Sequence, residues 1–239
     1  MRQPAHQRSE SGQAAVETAI VLPVMVFMLL GVLQMTLAYQ ARLVNEYAAF
    51  KVARAASVYR LDCGRMVNAG LMALVPTIGR TGTGTYQQRF LGAARELLSD
   101  NKPPFAGISM PLIRVRYRVS GNPSRTFDHQ LAPGDEPLKV HVRVSYFFEY
   151  RIPFANWIIS RVWLASQTGQ AWASGADPLT PVRRTPGVVA PANETALDVN
   201  IVQDAIRQNY FTTPLVSSWS MRMMSDPLPG TRLPEGRCQ

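Results

Sequence analysis

"SGQAAVETAIVLPVMVFMLLGVLQMTLAYQ" (residues 11–40) holds one charge, Glu17, at the mouth of an apolar run that reaches Leu33 unbroken. Residues 18–41 carry no charged side chain. As a helix they would reach about 36 Å, against a bilayer hydrocarbon core of about 30 Å. A transmembrane helix is the first expectation. A cleaved secretory signal is the rival, but its apolar region is usually about 7–15 residues, and Tyr39 and Gln40 make a poor exit for that cleavage. A buried core helix is the third possibility, and the missing polar face argues against it. Arg2 and Arg8 on one flank and Arg42, Lys51 and Arg54 on the other leave the orientation undecided by charge.

A carboxylate entering hydrocarbon costs a few kcal/mol unless it is paired or snorkels to the boundary. Glu17 has two readings: an idle group at the headgroup level, or a register device. The second needs a cut after Gly12. Gln13 would then carry a new α-amino group, one helical turn, about 6 Å, from Glu17. Among helices packed side by side with axial offsets, the carboxylate of one would meet the amine of another.

"GQAAVETAIVLPV" (residues 12–24) resembles the type IV prepilin processing site: a glycine, a glutamate at the fifth residue after it, and then an apolar helix. More narrowly it is similar to the TadE-like pseudopilins of the tight-adherence (Tad) pilus, with small residues before Val16-Glu17, aliphatics after, and Pro23 within the run. The resemblance implies that a prepilin peptidase of the membrane aspartic class cuts after Gly12. It implies a bacterial inner-membrane protein with its N-terminus in the cytoplasm and its body in the periplasm, open to extraction into a filament. It implies other pilin or pseudopilin subunits as partners, beside the membrane lipid itself. Thr18, where major Flp-type pilins carry Tyr, and a length of 239 residues both favour a minor, pseudopilin-like component over the main filament subunit, and the resemblance implies a role in initiating or capping a Tad-type pilus.

The fold class expected is α+β: a long N-terminal transmembrane and stalk helix, then a small antiparallel sheet head with short helices. The divisions are a leader at 1–12, the helix at 13–60, the head at 61–175 and a Pro-rich C-terminal tail at 176–239 with one helix at 195–210. The stalk is expected to stop by Cys63-Gly64, with glycine as its cap. Helices are expected at 65–75 and 86–99, the second with Phe90, Leu91, Ala94, Leu97 and Leu98 on one side.

The period then changes to two. "IRVRYRVS" (113–120) and "LKVHVRVSYFFEYRI" (138–152) alternate as half-buried, neighbouring antiparallel strands do. A turn-rich loop, 121–137, joins them. Residues 153–164 read as a short amphipathic helix or an extended apolar insert, and 164–173 as a third, weaker strand. Thr195 and Asp198 offer a capping-box start to the C-terminal helix. That helix start also accounts for the Asn193-Glu194-Thr195 acceptor pattern.

Twenty-five Lys and Arg against sixteen Asp and Glu give a net charge of +9. This favours anionic partners without selecting one. Arg114, Arg116, Arg118, Lys139, His141 and Arg143 form the polar faces of the two strands and could make one cationic surface. That surface is either a solvated face, a contact with another pilus component, or a site for lipid headgroups or an anionic polymer. An uncleaved, membrane-anchored module holding an anionic ligand on this surface is the alternative function. Nucleic acid is not expected, since Phe147 is the only aromatic residue on the polar faces.

No catalytic residues are expected, and no cofactor or metal. "GRTGTGT" (79–85) lacks the preceding strand and the closing Lys-Ser/Thr of a phosphate loop, and reads as a connector. The three histidines lack metal-ligand neighbours at useful spacing. Asp128, His129, Asp135, Glu136 and Ser124 share a loop without a nucleophile elbow. In an oxidising periplasm Cys63 and Cys238 can bridge, stapling the tail to the top of the stalk. Two free thiols are the other outcome.

Overall fold

A computed structural model of the chain describes residues 11–77, 84–103, 110–121, 136–168, 192–231 and 233–238. The elements are α1 (Ser11–Val58), α2 (Cys63–Leu74), a 3-10 turn (Val75–Thr77), α3 (Tyr86–Asp100), β1 (Ile113–Ser120), β2 (Lys139–Glu149), α4 (Ala155–Thr168), α5 (Ala192–Arg207), β3 (Thr212–Arg222) and β4 (Glu235–Cys238). The class is α+β. One four-stranded antiparallel sheet, in the order β3-β2-β1-β4, stands between two layers of helices.

The first layer is the upper half of α1 together with α2. The α1 residues in the main core are Ala38, Ala41, Ala48, Ala49, Val52, Ala53 and Ala56. This run of small side chains at helical spacing lets the helix axis approach the sheet closely. It meets Val115, Val140, Val142, Val144 and Tyr146 in the main core. Burial pushes the Tyr146 phenol up to about 12, partly opposed by its contact with the Thr77 hydroxyl.

Polar residues of α1 fix the contact. Asn45 donates from Nδ2 to the Leu215 carbonyl (2.7 Å), and the Ser217 hydroxyl donates to the Asn45 carbonyl (2.8 Å). Ser57 reaches the Arg222 carbonyl. The outer strand β3 is thereby tied to the helix that lies beside it.

The chain reverses where Arg60 and Leu61 adopt left-handed backbone (φ 60° and 63°) and Asp62 caps α2 by accepting from the Arg65 amide at 3.2 Å. The stalk therefore ends at Val58, and Gly64 lies inside α2 rather than capping α1. Gly70 allows α2 its close approach: a Cβ there would lie 2.9 Å from Ile113 Cδ1 and 3.0 Å from Val52 Cγ2. On α3 a full capping box, Thr85 with Gln88, sets the start. Its buried residues are Ala93, Ala94 and Leu97, while Leu91 and Leu98 face outward.

The second layer is α4 with α5. Val202, Ala205 and Ile206 of α5 and Trp163 of α4 close over Phe147 and Met110. Residues 164–168, expected to open a third strand, are the end of α4. The third and fourth strands lie instead at 212–222 and 235–238, inside the segment that the sequence leaves as a tail with one helix. Residues 1–10 of the expected leader (1–12), most of the Gly79–Thr85 connector, the loop at 122–135 and the stretch 169–191 lie outside the described residues, while Ser11 and Gly12 open α1.

Candidate functional site

From Ala15 to Leu29 every side chain of α1 is exposed, and most are large and apolar. The helix is long and apolar enough to cross a membrane, and none of its most apolar window is buried within the chain. Pro23 sits inside it without ending it; neighbouring groups in a bilayer protein can re-satisfy the freed carbonyl. Gly12 lies in the first turn of α1 with open space where a Cβ would be. The Gln13 side chain lies outside the described residues. Glu17 is exposed at the base of the apolar run. Gly12, Gln13 and Glu17 thus occupy one helix end, consecutive along less than two turns.

The polar faces of β1 and β2 do form one side of the sheet, as their alternation predicts. Arg116 stands opposite both Arg143 of β2 and Arg237 of β4, and Arg118 stands opposite His141 and Glu235. Lys139 stands opposite Ser120 and Arg222. Like charges in cross-strand register destabilise by some tenths of a kcal/mol per pair unless an anion intervenes.

At one end an anion does. Arg114 and Arg116 are only 4% and 7% exposed. Asp198, buried on α5, takes the Arg114 Nη1 in a close ion pair and lies 3.7 Å from Arg116 Nη2. Its second oxygen accepts from the Ser145 hydroxyl at 3.3 Å. Burial pulls the Arg114 pKa below its usual value, with Asp198 opposing the shift. The expectation of a single open cationic face is corrected here, because two of its arginines are interior residues with their own counterion.

The other end is different. Arg118 is about half exposed and lies 3.4 Å from Glu235, while Lys139, His141 and Arg143 are half-buried. His141 shares a 3.0 Å hydrogen bond with the Ser120 hydroxyl, and its buried Nδ1 has no hydrogen-bond partner among the described residues. Burial, then Lys139 and Arg118, hold its pKa below the usual histidine range.

Asp198 is the residue that sequence reasoning misplaced, as part of a helix cap. A signal was present: Asp198 lies four residues before Val202 and seven before Ala205, on the apolar stripe of its own helix. A carboxylate on such a stripe needs a buried cation, and alternating arginines on a half-buried strand supply one.

Cys63 and Cys238 are joined in a disulfide with Cα atoms 5.2 Å apart, linking the first residue of α2 to β4. Beside this link Tyr117 covers Gly236, where a Cβ would lie 2.1 Å from the phenol oxygen. A cavity of about 260 Å³ lies where the stalk enters the head, lined in part by Gln34, Gln40, Tyr146, Glu149 and Arg151. Among the described residues, no group of three or more His, Cys, Asp or Glu side chains is placed to hold a metal ion.

No curated protein and no solved structure matches the chain. Residues 12–54 match the family model described as TadE-like protein. That span starts at the glycine before the Glu17 segment and ends within the alanine stripe of the upper stalk. The match suggests a pilin-like protein associated with a Tad pilus, and the apolar helix suggests a single-pass membrane anchor. Residues 12–54, which make up most of the long N-terminal helix, are what the chain has in common with the TadE-like family.

Proposed function

We propose that the protein is a minor, pseudopilin-like structural subunit of a Tad-type pilus or secretion apparatus, acting by packing and not by catalysis. The observation that carries this is the coincidence of two features in one segment. The stretch that matches the TadE-like family contains the part of α1 that its own chain leaves uncovered. Such a surface suits lipid before assembly and the equivalent helices of other subunits after it. In this reading a prepilin peptidase cuts after Gly12, Gln13 supplies the new amine, and Glu17 sets axial register between neighbours. The head stands in the periplasm.

Intact mass of the full-length protein extracted from its native membrane tests the cut. The expected species spans residues 13–239, and one that keeps residues 1–12 would remove the register partner and with it this reading. Glu17→Ala is expected to leave insertion unchanged while reducing recovery of partner subunits on co-purification, since a stranded partner charge costs about 3–5 kcal/mol. Unchanged recovery would count against the role given to Glu17. The uncleaved anionic-ligand module draws less support, because Asp198 already neutralises the Arg114 end of the face it would use.

A further inference from the structure

The chain leaves β2 and descends along α1 before it turns back into α4. The Ile152 amide donates to Gln34 Oε1 at 2.9 Å, and the Phe154 ring meets the Phe27 ring edge-on, with centroids 5.5 Å apart. Between those two contacts the chain has moved about 10 Å down α1 toward its N-terminus, by the helical rise from Gln34 to Phe27. It then reverses at Phe154, whose backbone is left-handed (φ 64°). The helix α4 climbs back until Trp163 is buried under the sheet.

The tip of this excursion is apolar and outward-facing. Phe154 and Val162 are each 63% exposed, and Trp157 and Ile158 are about half exposed. A left-handed backbone is costly for a bulky aromatic residue and tends to mark a functional position. The depth of the tip follows from α1. A bilayer crossing takes about 20 residues, and the head already covers α1 at Gln34, which is buried, so a crossing that stops short of the head runs over about residues 14–33, with Phe27 about 9 Å inside its head-side end by helical rise. A residue whose ring touches Phe27 therefore lies at hydrocarbon depth in the head-side half of that crossing. Arg151, on the descending limb and 3.6 Å from Glu149, and Arg161, more than a turn up α4, are the cations that flank the tip in sequence, both with stems long enough to snorkel toward headgroups. Trp157, itself part of the tip, stands in sequence between Phe154 and Arg161, the order expected of an interfacial indole between hydrocarbon and headgroups.

We propose that the Ile152–Ile158 tip is a second membrane contact: it dips into the leaflet on the head's side of the bilayer that α1 spans, and so holds the head at a fixed tilt and rotation about the stalk. The occupant of the exposed face of Phe154, Trp157, Ile158 and Val162 is phospholipid. This rests on α1 crossing a bilayer but not on processing, assembly or Glu17.

The test uses the full chain in the membrane of the cells that make it. A photoreactive benzoylphenylalanine replaces Phe154 in one variant and Met224 in another. Met224 is exposed beside Ser57, about 45 Å further along α1 by helical rise. Irradiation is expected to add the mass of one phospholipid at 154 and none at 224. An adduct to a second polypeptide at 154, or no lipid adduct there, would overturn the proposal. A second measurement avoids the unnatural side chain. In nanodiscs of phospholipid with brominated acyl chains, the fraction of tryptophan emission quenched is expected to be larger for the unmodified protein than for W157F. Equal fractions would overturn it as well. Alkaline extraction of the same membranes separates the causes. A protein released by alkali sinks both the anchor and the dip, whereas one retained without the 154 adduct sinks the dip alone.

Discussion

The lower half of α1 and the arginine row of β1 invert the usual rule in opposite directions. Met28 is 73% exposed while Arg114 is 4% exposed. Each position is decided by what lies opposite it. In the function proposed, Met28 and its neighbours face lipid or the helices of other subunits, so nothing in their own chain needs to cover them. Arg114 faces Asp198, so it can be interior despite its charge. The two halves of α1 repeat the lesson within one element. Large side chains stand where lipid or another subunit would fill the space, and alanines stand where the sheet must come close.

The comparison breaks most severely at Asp198. Asp198→Ala would leave Arg114 and Arg116 buried without that carboxylate, and urea unfolding of the full chain in detergent is expected to show a loss of about 3–5 kcal/mol. A loss under 1 kcal/mol would mean the arginines reach water or another anion. Next is the link that holds β4 beside the same arginines. Cys63→Ser is expected to cost about 2–5 kcal/mol by freeing a long loop in the unfolded chain, and an unchanged midpoint in both oxidising and reducing buffer would count against a closed bridge.

A paired substitution sharpens the contrast inside α1. Ala49→Leu is expected to destabilise the head by about 1–3 kcal/mol through overpacking against the sheet. Leu29→Ala is expected to leave head stability within about 0.5 kcal/mol, as for an exposed surface position. Equal effects at the two sites would remove the distinction drawn here.

The smallest effect is expected at His141. Its folded pKa lies below the unfolded value of 6.5, so the unfolded chain binds the extra proton first. Stability is therefore expected to fall as pH drops below about 6.5 toward the folded pKa, and to be independent of this group above that window. His141→Asn should flatten that part of the pH–stability curve. A slope unchanged by the substitution would assign the titration elsewhere.

The elements with strong periods could be read directly. Charge exclusion over 18–41 defined the apolar helix, and strict alternation defined β1 and β2 together with their mutual pairing. The strand β3 was not legible, because Ser217, Ser218 and Ser220 dilute its alternation and Pro214 speaks against a strand. Its partners across β2 and the bonds from Asn45 and Ser57 make it one. At four residues β4 is too short to carry a period at all. It is a strand because β1 offers an open edge and Cys63 holds its end there.

By itself, then, the sequence determined what is local or repeated: an uncharged helix of membrane length, a carboxylate at its base beside a processing-like glycine, and two alternating strands. Only the tertiary structure decided which charges are interior, which helix supplies their counterion, and how deep beside α1 the Phe154 turn descends. The physical reason is that solvation and Coulomb energies belong to pairs of groups brought together in space. The partners here, such as Asp198 with Arg114 and Phe27 with Phe154, are separated along the chain by far more than any helical or strand repeat can reach.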